Sequence, residues 1–309
     1  MSTPHPGGTG TLGGHRVARL GYGAMGLDHG LPRDDATAVL RRAVELGVNH
    51  IDTASFYDDG VVNGRIRDAL TPYRDDLVLV SKVGARSVSG GPMPLALAQH
   101  PADLRAAVEL DLAGLGVEQI PVVNLRRADL GPGLVAEGDQ IVDLDDQLAE
   151  MITLRDQGKI GAIGISNIDV ATLRRALPAG IVCVQNAYNL LNRTHEDELA
   201  LCAAHGIAWV PFFPLGSSFP GFPKVAENAV VQRIAIETGA TGAQVGLAWL
   251  LAHAPNTLLI AGTTSVSHLE QNLAAGDLTL SADQLSALDA VPSALPDGDG
   301  VEAFLDEGR

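Results

Sequence analysis

The sequence contains few of the residues that form cross-links or carry positive charge. Its 309 residues include two cysteines, Cys183 and Cys202, which are too few for a disulfide framework. Lysine and arginine number 21 against 37 acidic residues, which gives a formal net charge of −16. Such an acidic chain is poorly suited to bind nucleic acid or anionic membranes, and we expect neither partner. A few local cations or helix N-termini can still hold an anionic cofactor.

Long apolar runs are also missing. The longest run, residues 245–254, is shorter than the roughly 18 to 20 residues that a membrane-spanning helix needs. Residues 1–14 are rich in Gly, Pro and Thr and contain no apolar core of a signal peptide. We therefore expect a cytoplasmic protein. The nine histidines are scattered without metal-ligand spacing, so no metal site is predicted.

Helical and strand patterns alternate along most of the chain. A glycine stands just before an apolar strand five times, at Gly47, Gly116, Gly158, Gly180 and Gly206. Eight β-then-α units, counted from a first strand over residues 17–20, predict an α/β fold. The predicted architecture is a (β/α)₈ TIM barrel that forms a single domain over residues 1–309. An open doubly wound sheet is the alternative. Residues 1–10 are predicted to be a flexible tail, residues 12–15 a hairpin turn, and extra helices to follow near the C-terminus.

Residues 21–26 match the glycine pattern of a dinucleotide-binding fold. That motif also requires a helix to begin at once. Gly30 and Pro32 oppose such a helix, and the next helical pattern starts near Asp35. We interpret the run as a glycine-rich loop that brings backbone close to a ligand.

Polar residues end several of the apolar strands. Asp52 ends the second, Lys82 the third and Asn124 the fourth, and Tyr57 follows the second. On a barrel these ends face one another. A structural Asp52–Lys82 ion pair is one interpretation. The other is catalytic, because an ammonium lowers the pKa of a phenol from its usual value of about 10.

The ordered set of motifs resembles the aldo-keto reductase superfamily from about Leu12 to Ala275. The motifs are Asp52-Thr53-Ala54 with Tyr57, Ser81-Lys82-Val83-Gly84, Gly164-Ile165-Ser166-Asn167, Gln185, and Ala261-Gly262-Thr263-Thr264 with Gln271-Asn272. The resemblance implies a barrel closed at its bottom by an N-terminal hairpin, with a nicotinamide cofactor extended across the top. Asp52, Tyr57, Lys82 and Asn124 would be catalytic, with Asn124 in place of the usual histidine, as in one branch of the superfamily.

The resemblance also implies a set of binding residues. The cofactor would contact Gly23, Met25, Asp52, Ser166, Asn167, Gln185, Phe212, Pro214, Leu215, Ser217, Gly262, Thr263, Thr264, His268, Gln271 and Asn272. Phe56, Tyr57 and Phe213 would line the substrate pocket. Many relatives have a lysine and an arginine where Gly262 and His268 stand here. The expected cofactor is NADPH, and the missing lysine and arginine weaken that preference, so NADH is possible.

Three functions remain open at this stage. The first is an NADP(H)-dependent reductase of aldehydes or small ketones, with Tyr57 as proton donor. The second, motivated by Asn124, is a cofactor-binding regulatory or sensor protein with vestigial activity. The third is a barrel enzyme of another class. The sequence predicts neither the physiological substrate nor the oligomeric state.

Overall fold

The computed structural model describes residues 5–28, 30–88, 95–131, 134–216 and 222–293. Over these residues the strands are β1 (Thr9–Leu12), β2 (His15–Ala18), β3 (Tyr22–Gly23), β4 (His50–Asp52), β5 (Val78–Val83), β6 (Ala85–Ser87), β7 (Leu95–Leu97), β8 (Ile120–Arg126), β9 (Ile160–Ser166), β10 (Ile181–Gln185) and β11 (Ala208–Trp209). The helices are α1 (Arg33–Glu45), α2 (Val61–Leu70), α3 (Pro101–Leu115), α4 (Leu144–Asp156), α5 (Val170–Ala176), α6 (Glu196–Ala204), α7 (Ala229–Thr238), α8 (Gly242–His253), α9 (Val266–Ala274) and α10 (Ala282–Asp289).

Seven strands form one parallel sheet in the order β11-β10-β9-β8-β5-β4-β3. The segment before α9 closes this sheet into a barrel, because Thr257 bridges Trp209 and Leu259 bridges Leu20, both in parallel. The N–H of Leu259 donates to the carbonyl of Arg19 at 2.7 Å. The predicted (β/α)₈ barrel is confirmed, and α10 supplies an extra C-terminal helix. The doubly wound alternative is excluded.

The N-terminal hairpin closes the bottom of the barrel. β1 pairs antiparallel with β2. The turn between them needs two left-handed residues, which Gly13 and Gly14 supply with φ of 57° and 85°. Leu12 and Val17 are buried in the cluster of side chains inside the barrel. The hairpin prediction is therefore confirmed.

Two predicted boundaries near the N-terminus were wrong. Residues 17–18 belong to the hairpin rather than to the first barrel strand, because Val17 pairs with Gly10 across the turn. The predicted tail is also too long: Thr9 and Gly10 lie in β1, and the carbonyl of Pro6 accepts from the N–H of Leu20 at 3.1 Å. Residues 1–4 lie outside the described ranges.

The glycine-rich run at residues 21–26 is a strand followed by a loop, and α1 begins only at Arg33. Close packing explains its first two glycines. A Cβ at Gly21 would overlap the ring of His50, and one at Gly23 would lie 2.5 Å from the carbonyl oxygen of Ile260. The interpretation as a loop rather than a dinucleotide-binding motif is confirmed. Within the described ranges, none of the helices is long and apolar enough to cross a membrane.

His50 is an ionisable group in the barrel interior, 1% exposed. Burial lowers the pKa of His50 to about 4, and a weaker interaction with the backbone of Leu259 opposes the shift. The unfolded chain therefore takes up a proton at His50 near pH 6.5, while the folded chain resists until about pH 4. Stability from this residue is fully present above pH 6.5 and is lost as the pH falls toward 4.

We expect the free energy of unfolding of the wild type to fall more steeply in acid than that of His50→Gln. Between pH 7 and pH 5 the difference should reach about 2 kcal/mol. Urea denaturation of both proteins at the two pH values measures it. The comparison is needed because Asp111, described below, titrates in the opposite sense in both proteins. Equal pH dependence in the two proteins would contradict this account of His50.

Candidate active site

The carboxyl ends of β4, β5 and β10 bring together three polar side chains. The ammonium of Lys82 donates to Oδ1 of Asp52 and, at 3.0 Å, to the carbonyl of Thr53. Gln185 Nε2 donates to the other carboxylate oxygen, Asp52 Oδ2, at 2.8 Å. Asp52 and Lys82 are 3% and 7% exposed, so the pair is held almost entirely out of water.

Tyr57 begins a short 3₁₀ turn, Tyr57–Gly60, in the connection between β4 and α2. The Nζ of Lys82 lies 4.9 Å from the centroid of its ring. The neighbouring ring of Phe56 packs edge-on against it, with the centroids 5.3 Å apart. The predicted trio of Asp52, Tyr57 and Lys82 is thus assembled in one place.

The electrostatics of this trio differ in part from the sequence expectation. Burial raises the pKa of Tyr57, and the charge of Lys82 lowers it by a smaller amount, so the pKa is raised overall. For Lys82, burial acts against the charge, but the carboxylate of Asp52 and the Tyr57 hydroxyl outweigh it and raise the pKa of the ammonium. Tyr57 is therefore a protonated phenol beside a charged lysine at neutral pH.

Asn124 lies inside the barrel beside Lys82, to which it is paired in register across β5 and β8. It is completely buried. Its Oδ1 accepts a hydrogen bond from the thiol of Cys183 at 3.2 Å, and its Nδ2 reaches the carbonyl of Ser81 at 3.5 Å. These contacts occupy both ends of the amide. Its predicted role as a donor to a carbonyl substrate stays a prediction, and its contacts lend that role no support.

Arg126 is a residue that the sequence reasoning missed. It is the last residue of β8 and is partly buried. Its Nη1 is buried and has no hydrogen-bond partner among the described residues. Its charge acts on Tyr57 and lowers the pKa of that phenol. Once β8 is known to extend to residue 126, strand alternation points to it, because residues 122, 124 and 126 share one face of the strand.

A buried polar network lies behind the trio, between the barrel and α3. Asp111 accepts hydrogen bonds from Asn63 Nδ2 and from Ser81 Oγ, each at 2.7 Å. Asn63 in turn accepts from the hydroxyl of Thr53 at 2.7 Å. Burial raises the pKa of Asp111 to about 6, against these hydrogen bonds and the charge of Lys82. The network fixes Thr53 and Ser81, the chain neighbours of the catalytic candidates.

The predicted nicotinamide residues lie at the ends of β9 and β10. Ser166 ends β9 and is 3% exposed. Asn167 has a positive φ of 59°, and its Nδ2 donates to the carbonyls of Arg127 and Leu130 at 3.1 and 2.8 Å. Gln185 uses its Nε2 on Asp52, and its buried Oε1 has no partner among the described residues. That oxygen is available to a donor that enters the site.

Aromatic side chains follow β11 at the same end of the barrel. The rings of Phe212 and Phe213 pack edge to face at 5.1 Å, and Phe222 lies 6.5 Å from Phe213. Phe213 has a φ of 56°, and its carbonyl accepts from Nδ2 of Asn189 at 2.9 Å. Phe212, Phe213, Pro214 and Leu215 are all partly exposed. Ser217, also predicted to contact the cofactor, lies outside the described residues.

The remaining predicted cofactor residues lie around the start of α9. The hydroxyl of Tyr22 donates to the carbonyl of Thr263 at 2.6 Å, and a Cβ at Gly262 would lie 2.8 Å from the carbonyl oxygen of Gly23. Ser265 caps the helix by accepting from the N–H of His268. Thr264, His268, Gln271 and Asn272 are on this turn and helix, and Met25 is 47% exposed on the loop after β3.

Comparison with known proteins agrees with the fold. Residues 19–292 match the Aldo/keto reductase family. The chain is 44% identical over 290 residues to pyridoxine 4-dehydrogenase of Escherichia coli (strain K12), covering 91% of this chain and 97% of that protein. It is 31% identical over 262 residues to methylglyoxal reductase YeaE of the same organism, covering 83% of this chain and 84% of that one.

A solved structure gives the same result in three dimensions. An aldo/keto reductase from Klebsiella pneumoniae, in complex with NADP and acetate, superposes with a TM-score of 0.75 at 28% identity. The match covers 91% of this chain and 94% of that one. The protein is thus a barrel oxidoreductase. It belongs to the aldo/keto reductase family.

Proposed function

We propose that the protein reduces aldehydes or small ketones to alcohols, with NADPH as hydride donor and Tyr57 as proton donor. The observation that carries the proposal is the assembly of Tyr57, Lys82 and Asp52 at the carboxyl end of the barrel. A phenol beside a charged ammonium is suited to give a proton to a carbonyl oxygen. Asp52 keeps that ammonium charged and oriented in a buried place.

The residues at this end of the barrel fit a nicotinamide dinucleotide. Gln185 Oε1 is a buried acceptor without a partner among the described residues, which suits a carboxamide N–H. The partly exposed ring of Phe212 offers a surface for stacking. The first turn of α9 presents backbone N–H groups with the hydroxyls of Ser265 and Ser267, which suits a phosphate. We expect NADPH to be preferred and NADH to be accepted.

Each residue of the site has a separate role in the proposed reaction. A nicotinamide held at this end of the barrel would supply the hydride for the carbonyl carbon. Tyr57 donates its phenolic proton to the carbonyl oxygen, and Lys82 stabilises the phenolate that is left. Asp52 acts through Lys82. Phe56 and Phe213 would line the substrate side with apolar surface and limit access of water; the ring of Phe56 packs against Tyr57, and that of Phe213 packs against Phe212.

Similarity favours a particular aldehyde as the first candidate. The 44% identity extends over nearly the whole length of a pyridoxine 4-dehydrogenase. The reverse of the reaction in that name is reduction of an aldehyde on a pyridine ring. The aromatic residues Phe56, Phe213 and Phe222 suit a flat ring of that kind. We therefore propose pyridoxal as the first substrate to test.

NADPH oxidation, followed by absorbance, tests the proposal on the purified protein. We expect turnover with pyridoxal, weaker turnover with small aliphatic aldehydes such as methylglyoxal, and a lower KM for NADPH than for NADH. Fluorescence titration of both cofactors on the same sample measures binding separately. Tight NADPH binding with no turnover of any aldehyde would contradict the reductase and favour the regulatory alternative. Failure to bind either cofactor would contradict both.

A further inference from the structure

Arg126 continues the inward-facing row of β8 to the mouth of the barrel. Along this strand Val122 is buried in the barrel interior and Asn124 contacts Cys183 beneath the site. Because side chains alternate along a strand, Arg126 is the next inward position. In register it stands opposite Ser166 on β9. On the other side, a Cβ at Gly84 would overlap the carbonyl of Arg126, so glycine is needed for the strands to approach.

The guanidinium of Arg126 is unlike the other cations near the site. Lys82 is paired with Asp52, and the adjacent Arg127 is paired with Asp129 at 2.7 Å. Arg126 has no carboxylate within ion-pair distance among the described residues, and its Nη1 is buried without a partner there. A buried donor without an acceptor is destabilising, and more so when it is charged. A site retains such a group most readily when a ligand supplies the acceptor.

Strand register places Arg126 on the same side of the barrel as Tyr57. Asn124, the preceding inward residue of β8, pairs in register with Lys82, and the Nζ of Lys82 lies 4.9 Å from the centroid of the Tyr57 ring. Burial lowers the pKa of Arg126, and Tyr57 opposes that shift; the charge of Arg126 in turn lowers the pKa of Tyr57 by a small part of the total shift. The two groups therefore border one space at the carboxyl end of the barrel. An oxygen that receives a proton from the phenol would lie close to the guanidinium.

We propose that Arg126 is a catalytic residue that donates a hydrogen bond from Nη1 to the reacting carbonyl oxygen. This inference rests on the proposed function. Hydride adds to the carbonyl carbon, the C=O π electrons move to the oxygen, and the Tyr57 proton bonds to that oxygen. Arg126 stays protonated throughout and stabilises the developing negative charge. It fills the role that the sequence reasoning gave to Asn124.

Kinetics of Arg126→Met, Arg126→Lys and a surface control, Arg174→Met, test the proposal. For Arg126→Met we expect kcat to fall by roughly 10² to 10³, with the NADPH dissociation constant unchanged. Arg126→Lys should recover part of the loss. Removing the Arg126 charge should also raise the pKa of Tyr57. The alkaline fall in the pH profile of kcat should therefore move to higher pH. A kcat within about threefold of wild type, or a loss confined to NADPH binding, would overturn the proposal.

A binding experiment tests the same residue without turnover. Benzoate places a carboxylate oxygen where the carbonyl oxygen would lie, and calorimetry on the protein with NADP⁺ measures its affinity. Loss of a charge-assisted hydrogen bond should weaken benzoate roughly 10- to 100-fold in Arg126→Met. Arg174→Met should bind as wild type does. If benzoate affinity depends on Arg126 but the protein reduces no aldehyde, this site is supported and the proposed function is contradicted. If benzoate binds equally well to the wild type and to Arg126→Met, the inference about Arg126 is overturned and the proposed function is not.

Discussion

Tyr57→Phe should lower kcat for aldehyde reduction by roughly 10² to 10⁴, the usual contribution of a positioned proton donor. The substitution removes one hydroxyl and keeps the ring that packs against Phe56 and lies under the Lys82 ammonium. We therefore expect the fold and the NADPH affinity to be unchanged. Steady-state kinetics together with fluorescence titration separate the two effects.

The pH dependence gives this prediction a second measurement. Because the pKa of Tyr57 is raised by burial, the phenol stays protonated through neutral pH, and the reduction rate should fall only in alkali. Oxidation of the alcohol needs the phenolate and should rise with pH over the same range. Tyr57→Phe should remove both dependences.

Tyr73→Phe is the matched control for the loss of a phenol. Its hydroxyl donates to the carbonyl of Leu115 at 2.7 Å, before β5 begins and away from the carboxyl end of the barrel. Its kcat should equal that of wild type. Turnover by Tyr57→Phe above about one tenth of wild type would contradict the assigned role, which rests on a contribution of at least 10²-fold.

The sequence was sufficient to predict the barrel and the central trio. Glycines that end helices and precede apolar strands repeat with the period of the fold, and all five have positive φ in the structure. Asp52 ends β4 and Lys82 lies one residue before the end of β5, and a buried lysine requires a counter-ion. Their contact therefore follows from local patterns and strand parity. The assignments of cofactor residues came from resemblance, and their roles stay proposals.

Arg126 could not be placed in the same way, because the sequence does not show where β8 ends. The apolar run stops at Leu125, and two arginines follow in succession. In the structure the strand extends to Arg126, whose side chain continues the inward row, while Arg127 makes an ion pair with Asp129. The pairing of Arg126 with Ser166 on β9 extends the strand to this residue. The local sequence around Arg126 does not predict that pairing.

Lys82→Met is expected to destabilise the protein by about 3 to 5 kcal/mol and to reduce turnover severely. The side chains of Lys82 and Asp52 are only 8% and 4% exposed. Removing the ammonium leaves a buried carboxylate whose remaining side-chain partner, within the described part of the chain, is the amide of Gln185. Urea denaturation measures the loss. Asp52→Asn should also destabilise, because it leaves the Lys82 charge buried without its carboxylate.

The double variant Asp52→Asn/Lys82→Met separates the structural role of this pair from the catalytic one. With both charges removed, the site no longer contains an uncompensated ion, so most of the lost stability should return. Turnover should not return, because Tyr57 no longer has an ammonium to stabilise its phenolate. If activity recovered along with stability, the pair would be only a structural ion pair. If neither recovered, the damage would lie in packing rather than in charge.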